Sequence, residues 1–102
     1  MPTFADLHDA TLRRLELDWV AGELRCRMTT GLVPGHPVVT LIAVGVTRLS
    51  CPRTFPWGPS ESVNTVTVEA QGGGCLLQIE MQSGDLIEAT AESVRLESER
   101  SN

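Results

Sequence analysis

The feature that most constrains this chain is an alternation of apolar and polar side chains with a period of two. It runs along Leu15-Glu16-Leu17-Asp18-Trp19 and again along Glu23-Leu24-Arg25-Cys26-Arg27-Met28. It returns where Cys75, Leu77, Ile79 and Met81 alternate with Leu76, Gln78 and Glu80. Successive side chains of a strand point to opposite faces, so each stretch reads as a strand with one buried face. Folding the first two stretches as a hairpin with Asp18 opposite Glu23 sets Leu17 against Leu24 and Leu15 against Cys26. The same register sets Glu16 against Arg25, so the apolar face and a cross-strand charge pair agree. Leu12, Leu15 and Trp19 also fit helical spacing, and a short helical turn ahead of the first strand reconciles the two patterns.

The rest of the chain continues the theme. Thr29 to Pro37 carries two glycines, two prolines and His36 and reads as a loop. Val38 to Val46 is rich in β-branched residues and apolar on both faces, which predicts a central strand covered on both sides. Gly45 marks a bulge or a close backbone approach. Thr47 to Cys51 either continues that strand or forms a short one of its own. Cys51 to Ser60 holds three prolines and a glycine, which forbid regular pairing. Val63 to Ala70 is a strand with Val66 and Val68 inward. Gln71-Gly72-Gly73-Gly74 turns the chain and sets Val66 against Ile79, Val68 against Leu77 and Ala70 against Cys75. A three-residue turn at Ser83-Gly84-Asp85 sets Met81 against Ile87 and Ile79 against Ala89. Val94 and Leu96 add a last short strand, and Glu97 to Asn102 is a polar tail expected to fray. The predicted fold is all-β: one domain over residues 1–102, an antiparallel sandwich or open barrel of six to eight strands. With two Trp, two Phe and no Tyr, its core must be built mainly from aliphatic side chains.

Charge and cysteine usage narrow the function classes. The formal net charge is −5, and none of the basic residues is a lysine. Such a surface disfavours nucleic acid and anionic membranes, and suits a basic protein partner. Three cysteines without a C-x-x-C pair, and no apolar leader after Met1-Pro2-Thr3, predict free thiols in a reducing cytoplasm. Gly72-Gly73-Gly74 lacks the helix and the lysine of a phosphate cradle, and Gly58-Pro59-Ser60-Glu61-Ser62 lacks the second glycine of a nucleophile elbow. Two histidines without paired cysteines predict no structural metal, and no cofactor motif is present.

Two segments remain as candidate sites. Asp6-Leu7-His8-Asp9-Ala10 puts a histidine between two carboxylates, the makings of a base, an ion pair or a ligand. The same residues also suit a cap, with Asp9 closing a turn or helix start and His8 bonding nearby backbone. Phe55-Pro56-Trp57-Gly58-Pro59-Ser60 places two large aromatics on a loop, where they either present a binding surface or fold back on the core. The binding candidates are therefore Asp6, His8, Asp9, Phe55, Trp57 and Ser60, with no catalytic residue assigned.

Phe4-x-x-Leu7-His8-Asp9-Ala10, followed by a strand ending in Asp18-Trp19, resembles the start of small bacterial proteins of unknown function. Pro56-Trp57-Gly58-Pro59-Ser60, Ser62-Val63-Asn64 and Ile79-Glu80-Met81-Gln82-Ser83-Gly84-Asp85 are similar to motifs of the same group. The opening Leu7-His8-Asp9-Ala10 is also similar to that of some immunity proteins from polymorphic toxin systems. The resemblance implies a bacterial cytoplasmic β domain without a defined activity. The expected function is a non-enzymatic protein-interaction module, immunity-protein-like or self-associating, that uses the Phe55–Ser60 loop and neighbouring strand edges. Small-ligand binding in an apolar interior with His8 at its rim is the alternative. A cryptic hydrolase built on His8 and Ser60, Ser62 or a thiol comes third.

Overall fold

The computed structural model describes residues 3–53 and 61–98. A 3-10 turn, Phe4–Leu7, leads into eight strands: β1 (Thr11–Asp18), β2 (Glu23–Thr29), β3 (Val38–Val44), β4 (Arg48–Ser50), β5 (Val63–Gln71), β6 (Gly74–Met81), β7 (Leu86–Ala91) and β8 (Ser93–Ser98). They form two antiparallel four-stranded sheets, in the orders β1-β2-β3-β8 and β4-β7-β6-β5. Both sheets are open, so the fold is a sandwich and not a closed barrel.

Each sheet turns one face to a shared core. β2 and β3 supply Leu24, Cys26, Met28, Val39, Leu41 and Ala43, while β5, β6 and β7 supply Val63, Val66, Leu77, Ile79, Met81, Ile87, Ala89 and Ala91. Leu7 and Ala10 close one end. Among the described residues no aromatic side chain is fully buried, and Phe4 only packs against the cluster.

The first hairpin takes the register read from its alternation, with Leu15 opposite Cys26, Glu16 opposite Arg25, Leu17 opposite Leu24 and Asp18 opposite Glu23. The ion pairs run along the strands: Arg25 binds Glu23 at 2.7 Å, and Arg14 pairs with Glu16. The second hairpin, β5–β6, also matches, with Val66 opposite Ile79, Val68 opposite Leu77 and Ala70 opposite Cys75. Gly72 (φ 54°) and Gly73 (φ 87°) make the two-residue turn, whose paired positive φ angles suit glycine and fit the strand twist.

Three expectations are corrected. The β6–β7 register is displaced by two residues, with Ile79 opposite Ile87 and Leu77 opposite Ala89. The loop is Gln82-Ser83-Gly84, because the Met81 N–H donates to the Asp85 carbonyl at 2.8 Å and the Gly84 N–H to the Met81 carbonyl at 2.9 Å. A shift of two leaves every side chain on its own face, so alternation alone does not detect it. β3 lies between β2 and β8, but among the described residues no strand or helix packs over its outer face, where Val38, Thr40 and Val44 are half-buried. Ile42 is nonetheless fully buried there, flanked in register by Arg25 and Arg95. The aliphatic stems of arginines can shield an apolar neighbour while their charged ends stay in water. Finally, β8 runs on to Ser98 with Glu97 opposite Thr40, so Glu97 and Ser98 belong to the sheet and not to a tail.

Gly45 (φ 69°) ends β3, and a Cβ there would lie 2.6 Å from the Glu92 side chain, the close approach its position suggested.

Candidate functional site

The segment after the 3-10 turn is placed by main-chain bonds to the start of β5. The Asp9 N–H donates to the Val63 carbonyl at 2.9 Å, and the Val63 N–H donates to the Ala10 carbonyl at 2.8 Å. The Leu12 N–H donates to the Glu61 carbonyl at 2.8 Å, and Thr11 bridges to Ser62. The segment thus ties the edge of one sheet to the edge of the other. Asp9 sits at φ 63°, a left-handed conformation that Asp tolerates better than most residues.

On this scaffold Asp6, His8 and Asp9 each have a partner. The Asp6 carboxylate accepts from the Thr3 N–H at 2.8 Å and from its hydroxyl at 3.2 Å, closing the 3-10 turn. His8 Nδ1 lies 2.6 Å from the Asn64 carbonyl oxygen. A carbonyl only accepts, so Nδ1 carries the proton. His8 Nε2 is 3.6 Å from Asp9 Oδ2, and Gln82 Nε2 donates to Asp9 Oδ1 at 2.6 Å. Asn64 Nδ2 donates in turn to Glu80 Oε1.

Asn64 lies where the β5–β6 register slips between Val63 and Thr65. Such a bulge leaves a main-chain group out of the ladder, and here the His8 ring takes up the carbonyl. The Nδ1 bond gives the ring a structural role, tying the end of the 3-10 turn to the start of β5. Removing the ring should therefore cost about 1 kcal/mol, the value of one partly exposed hydrogen bond. Urea unfolding of His8→Ala, read by circular dichroism, measures it.

Asn64, Glu80 and Gln82 stand in the sequence motifs but not among the site candidates. Gln82 and Asp9 are far apart in the chain and meet where the β6–β7 loop lies beside the start of β5.

Phe55, Trp57 and Ser60 lie outside the described residues. The residues on either side of them, Cys51, Pro52, Arg53 and Glu61, line a cleft of about 370 Å³ together with Leu12, Arg13, Leu15, Met81 and Ile87. His8 is not among its lining residues. Among the described residues, no three of His, Cys, Asp and Glu converge as metal ligands, and no helix is long and apolar enough to cross a membrane.

All three cysteines are free, with Cys26 and Cys75 buried and Cys51 exposed. Burial, with a smaller contribution from Cys51, pushes the Cys26 thiol from 9.0 up to about 12. Stability from the neutral Cys26 is fully present below pH 9.0 and is lost as pH rises toward 12, at up to about 1.4 kcal/mol per pH unit. An aromatic disulfide reagent at neutral pH should titrate a single thiol, Cys51, in the native protein and all three after denaturation. The Cys51→Ser variant should show no reactive thiol until unfolded.

Among the described residues, the most exposed large apolar side chains stand elsewhere. Trp19 is 86% exposed and Val20 97%, both in the β1–β2 turn. The turn is fixed: Asp18 Oδ1 accepts from the Ala21 N–H at 3.0 Å, and the Asp18 carbonyl accepts from the Gly22 N–H at 2.9 Å. The Gly22 carbonyl then accepts from the Val46 N–H at 2.8 Å. Beside the turn lies an open groove of about 670 Å³ lined by Leu17, Trp19, Gly22, Val46, Thr47, Arg48 and Leu49. The signal for this patch was present in the hairpin register, since pairing Asp18 with Glu23 forces Trp19 into the turn, off the buried face.

No protein-family model and no curated protein matches the chain. Among solved structures it is similar to an uncharacterized protein from Neisseria gonorrhoeae. The TM-score is 0.62 at 12% identity, covering 88% of this chain and 91% of that one. At that identity the likeness speaks for the fold alone.

Proposed function

We propose that this protein is a non-enzymatic interaction module whose contact surface is the β1–β2 turn and the groove beside it. The observation that carries the reading is Trp19 and Val20, almost fully exposed on a turn held by four hydrogen-bonded backbone positions. Water penalises such exposure, and a rigid Trp gives large contact area at low entropy cost when a partner covers it. Leu17, Val46 and Leu49 extend the apolar surface, and Arg48 adds a cation at its rim. The occupant is a protein presenting an apolar side chain to the groove.

The net charge of −5 supports the version in which that protein is basic, as in an immunity protein acting on a basic toxin. Three free thiols are consistent with a reducing cytoplasm as its compartment. The bond from His8 Nδ1 to the Asn64 carbonyl is consistent with the non-enzymatic reading.

The test compares affinity captures from native lysate with the wild-type chain and with Trp19→Ala as bait. The expected result is a stoichiometric partner retained by the wild type and lost by Trp19→Ala, with both baits equally stable. Identical retained proteins for the two baits, or none for either, would overturn the proposal.

The cleft lined by Leu12, Leu15, Met81 and Ile87 favours a second reading, small-ligand binding. Its volume of about 370 Å³ is in the range of ligand pockets. An apolar fluorescent probe whose binding is blocked by Leu12→Trp and unaffected by Trp19→Ala would support it. A probe insensitive to Leu12→Trp would rule it out.

A further inference from the structure

Four strands form the edges of the two sheets, and three of them carry the features that discourage pairing with another chain. β1 has Arg13, Arg14, Glu16 and Asp18 and a register break between Leu12 and Arg14. β8 has Arg95 and Glu97, which bind each other at 3.1 Å. β4 is three residues long and starts on Arg48. β5 differs. Its first residues are covered by the Asp9–Leu12 segment and by the His8 ring on the Asn64 carbonyl. From Thr65 to Gln71 it runs without a further register break, without proline, and with Glu69 as its one charge.

The Gly72–Gly73 turn fixes which backbone groups are open. In a two-residue hairpin the flanking pair, here Gln71 and Gly74, exchanges both hydrogen bonds. Gln71, Glu69, Thr67 and Thr65 therefore direct their N–H and C=O groups at β6. Val66, Val68 and Ala70 direct theirs away from the sheet, where none has a protein partner among the described residues. Val68 is also only half-buried on the core side.

We infer that this edge is a self-association site: Thr65–Gln71 pairs antiparallel with the same run of a second copy, joining two four-stranded sheets into one. The run is its own complement. A two-fold axis at Val68 sets Val68 against Val68, Val66 against Ala70, Thr67 against Glu69 and Thr65 against Gln71 of the second copy. Val66, Val68 and Ala70 then meet the matching open groups across the axis. The single carboxylate faces a threonine and not itself, which removes the like-charge opposition that a chain of net charge −5 would meet on more acidic surfaces. The pairing ends at Gln71, because the His8 ring already covers Asn64 of the second copy, and Gly72 and Gly73 bring no side chain toward it. This contact is separate from the Trp19 groove and stands or falls independently of it.

The experiment is sedimentation velocity over a concentration series for the wild type and four variants. Ala70→Pro removes an outward N–H that β6 does not use, so the strand is kept. It should weaken the dimer roughly tenfold or more, since one bond is lost in each copy. Thr67→Glu, opposite Glu69, should weaken it and Thr67→Lys should tighten it. Trp19→Ala should leave it unchanged. A wild-type chain that stays monomeric throughout, or a dimer indifferent to Ala70→Pro and to both Thr67 variants, overturns the inference. So does a dimer lost with Trp19→Ala.

Discussion

Leu77→Ala is expected to remove about 2–5 kcal/mol of folding free energy. Leu77 is fully buried on β6, with Val68 and Ala89 as its register neighbours. The surrounding core is aliphatic, and these two neighbours are small or half-buried, so little can move in to fill the space. The loss therefore combines the transfer term with an uncollapsed cavity. A domain of this size holds about 5–15 kcal/mol in total. The change should lower Tm by at least ~8 °C, at the usual 4–8 °C per kcal/mol. Leu32→Ala provides the contrast: Leu32 is 56% exposed, and its truncation should stay within about 0.5 kcal/mol. Thermal and urea unfolding by circular dichroism measure both. A Leu77→Ala loss below about 1 kcal/mol would mean that the two sheets do not share a close-packed core.

Gly31→Ala should cost about 1–3 kcal/mol although it adds only a methyl group. A Cβ at Gly31 would lie 2.5 Å from the Asp9 carbonyl oxygen and 3.1 Å from its carbon. Neither side can retreat easily. Asp9 is held at φ 63° and bonded to Val63. The loop is held by Thr30, whose N–H and hydroxyl both donate to the Pro37 carbonyl, at 3.1 and 2.8 Å. His36 Nδ1 closes on the Thr30 carbonyl at 3.0 Å. The added methyl must push the Asp9 turn, so Gly31→Ala should also shift the NMR signals of the Gln82 side-chain amide that donates to Asp9. A silent substitution, in stability and in the Gln82 amide, would contradict the close packing of this loop on the Asp9 segment.

How far the sequence could be read depended on the range of each interaction. Alternation over β2, β5 and β6 named the buried faces, while on β1 Leu15 is only half-buried and Leu17 is exposed; the short turns Trp19–Gly22 and Gly72–Gly73 then left one register for each hairpin. The Gln82–Gly84 turn allowed a second register of the same parity. The choice was made by Ser83 and Asp85, buried and bonded to each other at 3.0 Å, which no periodicity encodes. Ile42 looked like evidence for a covering layer because arginine stems, usually counted as solvated, can shield it.

The candidate site was legible only in part. Asp6, His8 and Asp9 were singled out from residue type alone; His8 bonds backbone as expected, but Asp6 and not Asp9 closes the turn. Their partners Asn64, Glu80 and Gln82 lie on β5, β6 and the following turn, and only tertiary pairing brings them to His8 and Asp9. Trp19 was read as part of an alternating strand, although the hairpin register placed it in the turn.

We propose a division of labour in which His8 and its neighbours hold the fold and Trp19 and its neighbours meet a partner. Partner retention measured side by side for His8→Ala and Trp19→Ala, each with its Tm, tests it most directly. The account predicts that His8→Ala keeps the partner at a lowered Tm and that Trp19→Ala loses the partner at an unchanged Tm. Loss of the partner with His8→Ala at full stability, and retention with Trp19→Ala, would contradict it.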